Sequence, residues 1–101
     1  MSKELNIHTL NKMFDNRIRL GIMSALLVNE DVNFKFLKEL LDVTDGNLAS
    51  HLKPLEENKY LRVEKGFLGR KTNTTYKITK AGETAFKQHL SALETMIKNL
   101  E

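Results

Sequence analysis

The sequence predicts a mainly α fold with a small antiparallel β-hairpin, in a single domain of 101 residues. Three observations carry this. Apolar residues recur at helical spacing before and after one short region. In that region, residues 60–79, the apolar period drops to two. The same stretch is chemically distinct. From Lys59 to Lys80 it holds seven basic residues (Lys59, Arg62, Lys65, Arg70, Lys71, Lys77, Lys80) and one acid, Glu64, a net +6, whereas the other nine basic and twelve acidic residues give −3. The net charge of +3 thus combines a mildly acidic body with one cationic arm. Lys and Arg so concentrated favour a polyanion, whose counterions they release.

Taken in order, residues 5–14 carry Leu5, Leu10, Met13 and Phe14, which predicts a short N-terminal helix. Asp15 is the expected N-cap of the next one, its carboxylate accepting a free backbone N–H. From Asn16 to Val28, Ile18, Ile22, Ala25 and Leu26 form a stripe that Leu20, Met23 and Leu27 widen, so this helix is buried over much of its surface. Asn33 caps a helix of two to three turns with Phe34, Leu37, Leu40 and Leu41 on one side. The break falls at Asp42-Val43, and Thr44 caps a third helix whose Leu48, Leu52 and Leu55 lie at i, i+4, i+7. Residues 34–58 therefore read as a helix-turn-helix. Leu61 and Val63 alternate with Tyr60, Arg62 and Glu64 in a strand. A loop, GFLGRKTNT, contains Gly66 and Gly69, and Thr74, Tyr76 and Ile78 alternate in a second strand. Thr79 caps a C-terminal helix over 80–100, where Phe86, Leu90, Leu93, Ile97 and Leu100 recur at 4, 3, 4, 3.

Composition narrows the function. No apolar run approaches the ~18 residues a membrane span needs. MSKELNIHTLNK has no apolar h-region, so no signal peptide is expected. The lack of cysteine excludes disulfides and thiolate metal sites and fits a cytoplasmic protein. His8, His51 and His89 have no ligand spacing, so no metal is expected, and no cofactor motif or catalytic constellation is present.

The segments DNRIRLGIMSAL, DGNLASHLKPLEENKYLRVEKGF and GRKTNTTYKITKAG resemble the small winged-helix transcriptional regulators related to the MarR and ArsR families, over roughly residues 10–95. The resemblance implies a dimer on an operator, with the third helix in the major groove and the hairpin, the wing, beside the DNA backbone. Two features differ from those families. Metal-sensing ArsR members carry cysteines near the start of the recognition helix, and typical MarR proteins have more terminal helix. No small-molecule effector is assigned.

Opposite the Leu48–Leu52–Leu55 stripe, the third helix carries Asn47, Ser50, His51 and Pro54. Asn can bond adenine bidentately, and Ser and His can meet a base edge or a phosphate, so Asn47, Ser50 and His51 are the candidate base readers. Phosphate contact is expected from Thr44, Gly46, Lys53, Lys65, Arg70, Lys71 and Lys77, with Thr72, Asn73 and Thr74 adding neutral hydrogen bonds. Asp45 repels phosphate; it either accepts from a cytosine amine or favours the helix dipole. Pro54 removes one helical hydrogen bond and predicts a kink on the exposed side. Leu90, Leu93, Met96, Ile97 and Leu100 form a stripe too long for a small body to cover and are the expected dimer interface. The expected activity is sequence-specific double-stranded DNA binding by a homodimeric transcriptional regulator, a repressor where its operator overlaps a promoter. The alternative is a protein- or RNA-interaction module without operator specificity.

Overall fold

The computed structural model describes residues 7–100. Four helices, α1 (Arg17–Val28), α2 (Phe34–Leu41), α3 (Asp45–Glu57) and α4 (Lys80–Asn99), accompany a three-stranded antiparallel sheet of β1 (Val32–Asn33), β2 (Leu61–Leu68) and β3 (Lys71–Ile78), in the order β1-β3-β2.

Polar caps fix the helix starts. The side chains of Asn16, Asn33, Thr44 and Thr79 each accept a backbone N–H from the first turn of α1, α2, α3 and α4. The expectation at Asp15 is thus off by one residue. Asp15 instead closes a 3-10 turn through its N–H to the Lys12 carbonyl. The helix expected over residues 5–14 is also replaced, by two 3-10 turns, Ile7–Thr9 and Lys12–Phe14; Leu5 lies outside the described residues. The reason is local competition: Asn11 turns its side chain onto the Met13 N–H, which starts a new turn there and interrupts a continuous helix.

Asp42, left-handed at φ 52°, ends α2 and turns the chain into α3. The end of α3 is a Schellman arrangement. Lys59 is left-handed at φ 62°, its N–H reaches the Glu56 carbonyl at 2.9 Å, and the Tyr60 N–H reaches Leu55 at 3.0 Å. Pro54 does not end α3, which runs on to Glu57.

The hairpin is longer than the alternation indicated. Residues 66–74, expected as a loop, are paired almost throughout, from Gly66↔Asn73 to Leu68↔Lys71, and only Gly69 and Arg70 form the tip. Gly69, at φ 64°, supplies the left-handed residue that a two-residue hairpin turn demands. Strand β1 is too short to show a period in sequence; Val32 pairs with Tyr76 and Asn33 with Thr75.

The core joins Ile22, Met23, Ala25 and Leu26 of α1 to Leu37, Leu48, Leu52, Leu55, Leu61, Tyr76 and Phe86. Phe14 closes one end, edge-on to Phe86 at 5.2 Å and against Tyr60 at 5.4 Å. His89 also packs there, 4% exposed, with Nδ1 accepting the Asn11 N–H at 3.0 Å. Burial holds the His89 pKa below its ordinary value, against a smaller opposing pull from Asp15. A lowered folded pKa means that the unfolded chain takes up the proton first as pH falls. The stabilising contribution of neutral His89 is therefore complete above the unfolded value of about 6.5 and is lost on acidification below it. The melting temperature is expected to fall between about pH 7.5 and about pH 5.5, and to fall less in a His89→Gln variant. An equal fall in both proteins would show that His89 does not carry it.

Candidate nucleic-acid interface

The site grows from the junction of α3 and the hairpin. Leu48, Leu52 and Leu55 are buried and fix the rotation of α3, which leaves Asn47, Ser50 and Lys53 exposed on the other side. Val63 pairs with Tyr76 and Lys65 with Thr74, so one face of the hairpin carries all four. That face and α3 border an open groove of about 320 Å³ whose walls include Ala49, Lys53, Lys65 and Thr74. The groove thus has Lys53 and the acid Glu56 on the helix side and Lys65 on the strand side. A second groove, of about 390 Å³, lies between the start of α2 and the outer hairpin and includes Lys35, Lys71, Thr72 and Asn73.

Each predicted residue has a definite place. The Asn47 side chain is exposed, and its backbone N–H donates to Thr44 Oγ1 at 3.1 Å, so the Thr44 oxygen serves the cap. Gly46 has nothing within 4 Å of where a Cβ would stand, so the backbone is open to a close approach there. The Ser50 hydroxyl donates to the Asn47 carbonyl at 2.8 Å, which leaves its oxygen free to accept. His51 is only partly exposed, and its Nδ1 lies 3.1 Å from Nη1 of Arg19. Burial and the Arg19 cation both push the His51 pKa down, which favours the neutral ring. Arg70 and Lys71 are exposed at the hairpin tip. Lys77 is separate from Lys65. It lies across the pair from Arg62 on the other pleat face, where Glu64 takes both cations, at 3.6 and 3.3 Å. The arm's net +6 already counts Glu64, and these contacts place that one negative charge beside Arg62 and Lys77.

Two residues outside the predicted set enter the site. Lys38 of α2 meets Asp45 at 2.8 Å, so the acid at the head of α3 faces the site as half of an ion pair. Arg19 of α1 reaches His51 across 32 positions of sequence. No periodicity or motif links either pair; only the docking of α1 and α2 on α3 brings them together.

Among the described residues, no group of three or more His, Cys, Asp or Glu could hold a metal ion, and no helix is long and apolar enough to cross a membrane.

A helix-turn-helix whose second helix runs into a long antiparallel hairpin defines the winged-helix class of DNA-binding proteins. The chain belongs to the family described as the winged helix DNA-binding domain, whose model matches residues 18–97. It is 38% identical over 90 residues to the uncharacterized protein MJ0432 of Methanocaldococcus jannaschii, which covers 89% of this chain and 98% of that one. It is similar to a transcriptional regulator homologue from Pyrococcus horikoshii OT3, with 35% identity, 90% of each chain covered and a TM-score of 0.83. MepR from Staphylococcus aureus shares the fold at 16% identity and a TM-score of 0.76, over 88% of this chain and 65% of that one. The family and fold are those of transcriptional regulators.

Proposed function

We propose that the chain binds double-stranded DNA sequence-specifically as a homodimer and regulates transcription in the cytoplasm, as a repressor where its operator overlaps a promoter. One observation carries this reading: one flank of α3 and the cationic hairpin border the same groove, with Lys53 and Lys65 on its two sides. In this reading Asn47, Ser50 and His51 read base edges in the major groove. Lys53, Lys65, Arg70 and Lys71 hold phosphates, and Thr44 with the open backbone at Gly46 approaches one at the start of α3. Lys77, bound up with Glu64, contributes least of the predicted cations. The exposed side of α4 joins two copies and sets the spacing of the half-sites.

Selection of bound fragments from a random DNA pool is the direct test. A recovered palindrome supports specificity and two-fold symmetry together; a pool with no enrichment, or retention of RNA or a protein instead, would sink the reading. The wing has its own test. Replacing Arg70 and Lys71 by Ala removes up to two phosphate contacts per subunit. In a dimer the slope of log affinity against log salt is expected to shrink by up to about 3–4 units, at about 0.9 per contact. The preferred sequence should not change, and stability should move by less than about 0.5 kcal/mol. An unchanged slope in a protein that still binds DNA would mean that the wing points away from the duplex.

A further inference from the structure

Arg19 is the residue of this site whose place the DNA-binding reading does not yet explain. It stands on α1, outside the helix-turn-helix, and its guanidinium is held at two points. Nε donates to the Met13 carbonyl at 2.7 Å, and Nη1 lies 3.1 Å from His51 Nδ1. Its backbone is fixed as well, since the Arg19 N–H meets the Asn16 side chain at 3.1 Å in the cap of α1. The guanidinium is planar, so two anchors set its plane and its remaining donors.

Arginine has donors only. His51 Nδ1 must therefore accept, and in a neutral ring the proton then sits on Nε2. Nε2–H is already the commoner tautomer of a free neutral imidazole, and the Arg19 donor makes it the one compatible with this contact. His51 follows the exposed Ser50 on α3 and is itself partly exposed, on the flank of the helix that faces α1.

We propose that Arg19 is a positioning residue for DNA recognition: it holds His51 on the recognition helix as an Nε2–H donor and thereby decides which base edge His51 reads. The proposal rests on the DNA-binding reading above and names the chemistry of one contact within it. In the major groove a donor finds acceptors on guanine, adenine and thymine, while cytosine presents only its amine. A ring carrying its proton on Nδ1 would turn a bare Nε2 to the groove and accept from that amine. Arg19 thus excludes cytosine at the base His51 meets, without touching DNA itself. A hydrogen bond that merely tied α1 to α3 would have no such consequence.

The experiment joins two measurements on the full chain. In 15N-labelled protein, the imidazole nitrogens of His51 are assigned for the wild type, for Arg19→Met, which keeps the apolar stem without the donors, and for Arg19→Lys, which keeps a cation and a donor without the planar fork. Bound sequences are selected from a random pool for the same three proteins. The wild type is expected to show a bare Nδ1 and a protonated Nε2, and to reject cytosine at one position per half-site. Arg19→Met should show both tautomers, admit cytosine at that position and lose about tenfold in affinity for the preferred site. Arg19→Lys should fall between the two, and it carries the test alone if Arg19→Met does not fold. The proposal is overturned if His51 keeps its Nε2 proton in the variants, or if affinity falls for every sequence alike with the base preference unchanged. A wild-type protein with no sequence preference overturns the DNA-reading function and this proposal together; a wild type with a preference that the variants fully retain overturns this proposal alone.

Discussion

Replacing Gly82 by alanine is expected to cost about 3 kcal/mol or more. The cause is the way α4 starts. The Tyr60 carbonyl accepts the Thr79 N–H at 3.1 Å, and the Thr79 hydroxyl donates to the Lys59 carbonyl at 2.6 Å while accepting the Gly82 N–H at 2.9 Å. These bonds pull the end of α3 and the start of α4 together until the Tyr60 backbone lies directly against Gly82. A Cβ at Gly82 would run into the Tyr60 carbonyl oxygen and carbon. Backbone cannot swing aside as a flexible side chain can, so α4 must lift, which disturbs the packing of Phe86 and His89 on Phe14. Thermal unfolding should show a midpoint lowered by about 15–30 °C. Gly46→Ala is the control. It also lies within a helix but has open space around it, so alanine there should be neutral or stabilising by up to about 1 kcal/mol. A Gly82→Ala midpoint within about 3 °C of wild type would show that the junction gives way at little cost.

Putting lysine at both Leu93 and Ile97 is expected to convert a dimer into a folded monomer. Helix α4 spans 20 residues, and the molecule is 62 Å long but only 26 by 21 Å across. Its first half packs inward through Phe86 and His89. Its second half is less covered: Leu93 and Met96 are partly buried, while Leu90, Ile97 and Leu100 are 39%, 60% and 79% exposed. A second copy laid along this stripe would remove it from water, and two lysines per helix would place four charges in the seam. Sedimentation should then give a monomer with an unchanged helical spectrum. Affinity for a two-half-site operator should fall by about 10²–10⁴-fold, the advantage that linking two reading heads confers. A wild-type protein already monomeric at concentrations of about 10–50 µM would sink the dimer.

Sequence alone determined the features set by local chemistry. Asn33, Thr44 and Thr79 mark helix starts because a short polar side chain satisfies a free N–H within its own turn, and the packed side of α3 follows from i, i+4, i+7 spacing alone. The change of period at Leu61 announced the hairpin. Its extent was less legible, because the outer residues are exposed on both faces and so carry no alternation: Phe67 is 74% and Leu68 65% exposed. The inward side of α4 was legible only in part. The 4-3-4-3 pattern picked out Phe86 and passed over His89, which is buried because Phe14 and the Asn11 N–H meet it there. Tertiary structure alone decided which charges stand free. Whether Lys77 faces phosphate or Glu64, whether Asp45 repels a duplex or pairs with Lys38, and which nitrogen of His51 holds its proton all depend on atoms brought within about 4 Å by packing. Sequence spacing describes one element at a time, and a charge or a tautomer is set by its neighbours on another.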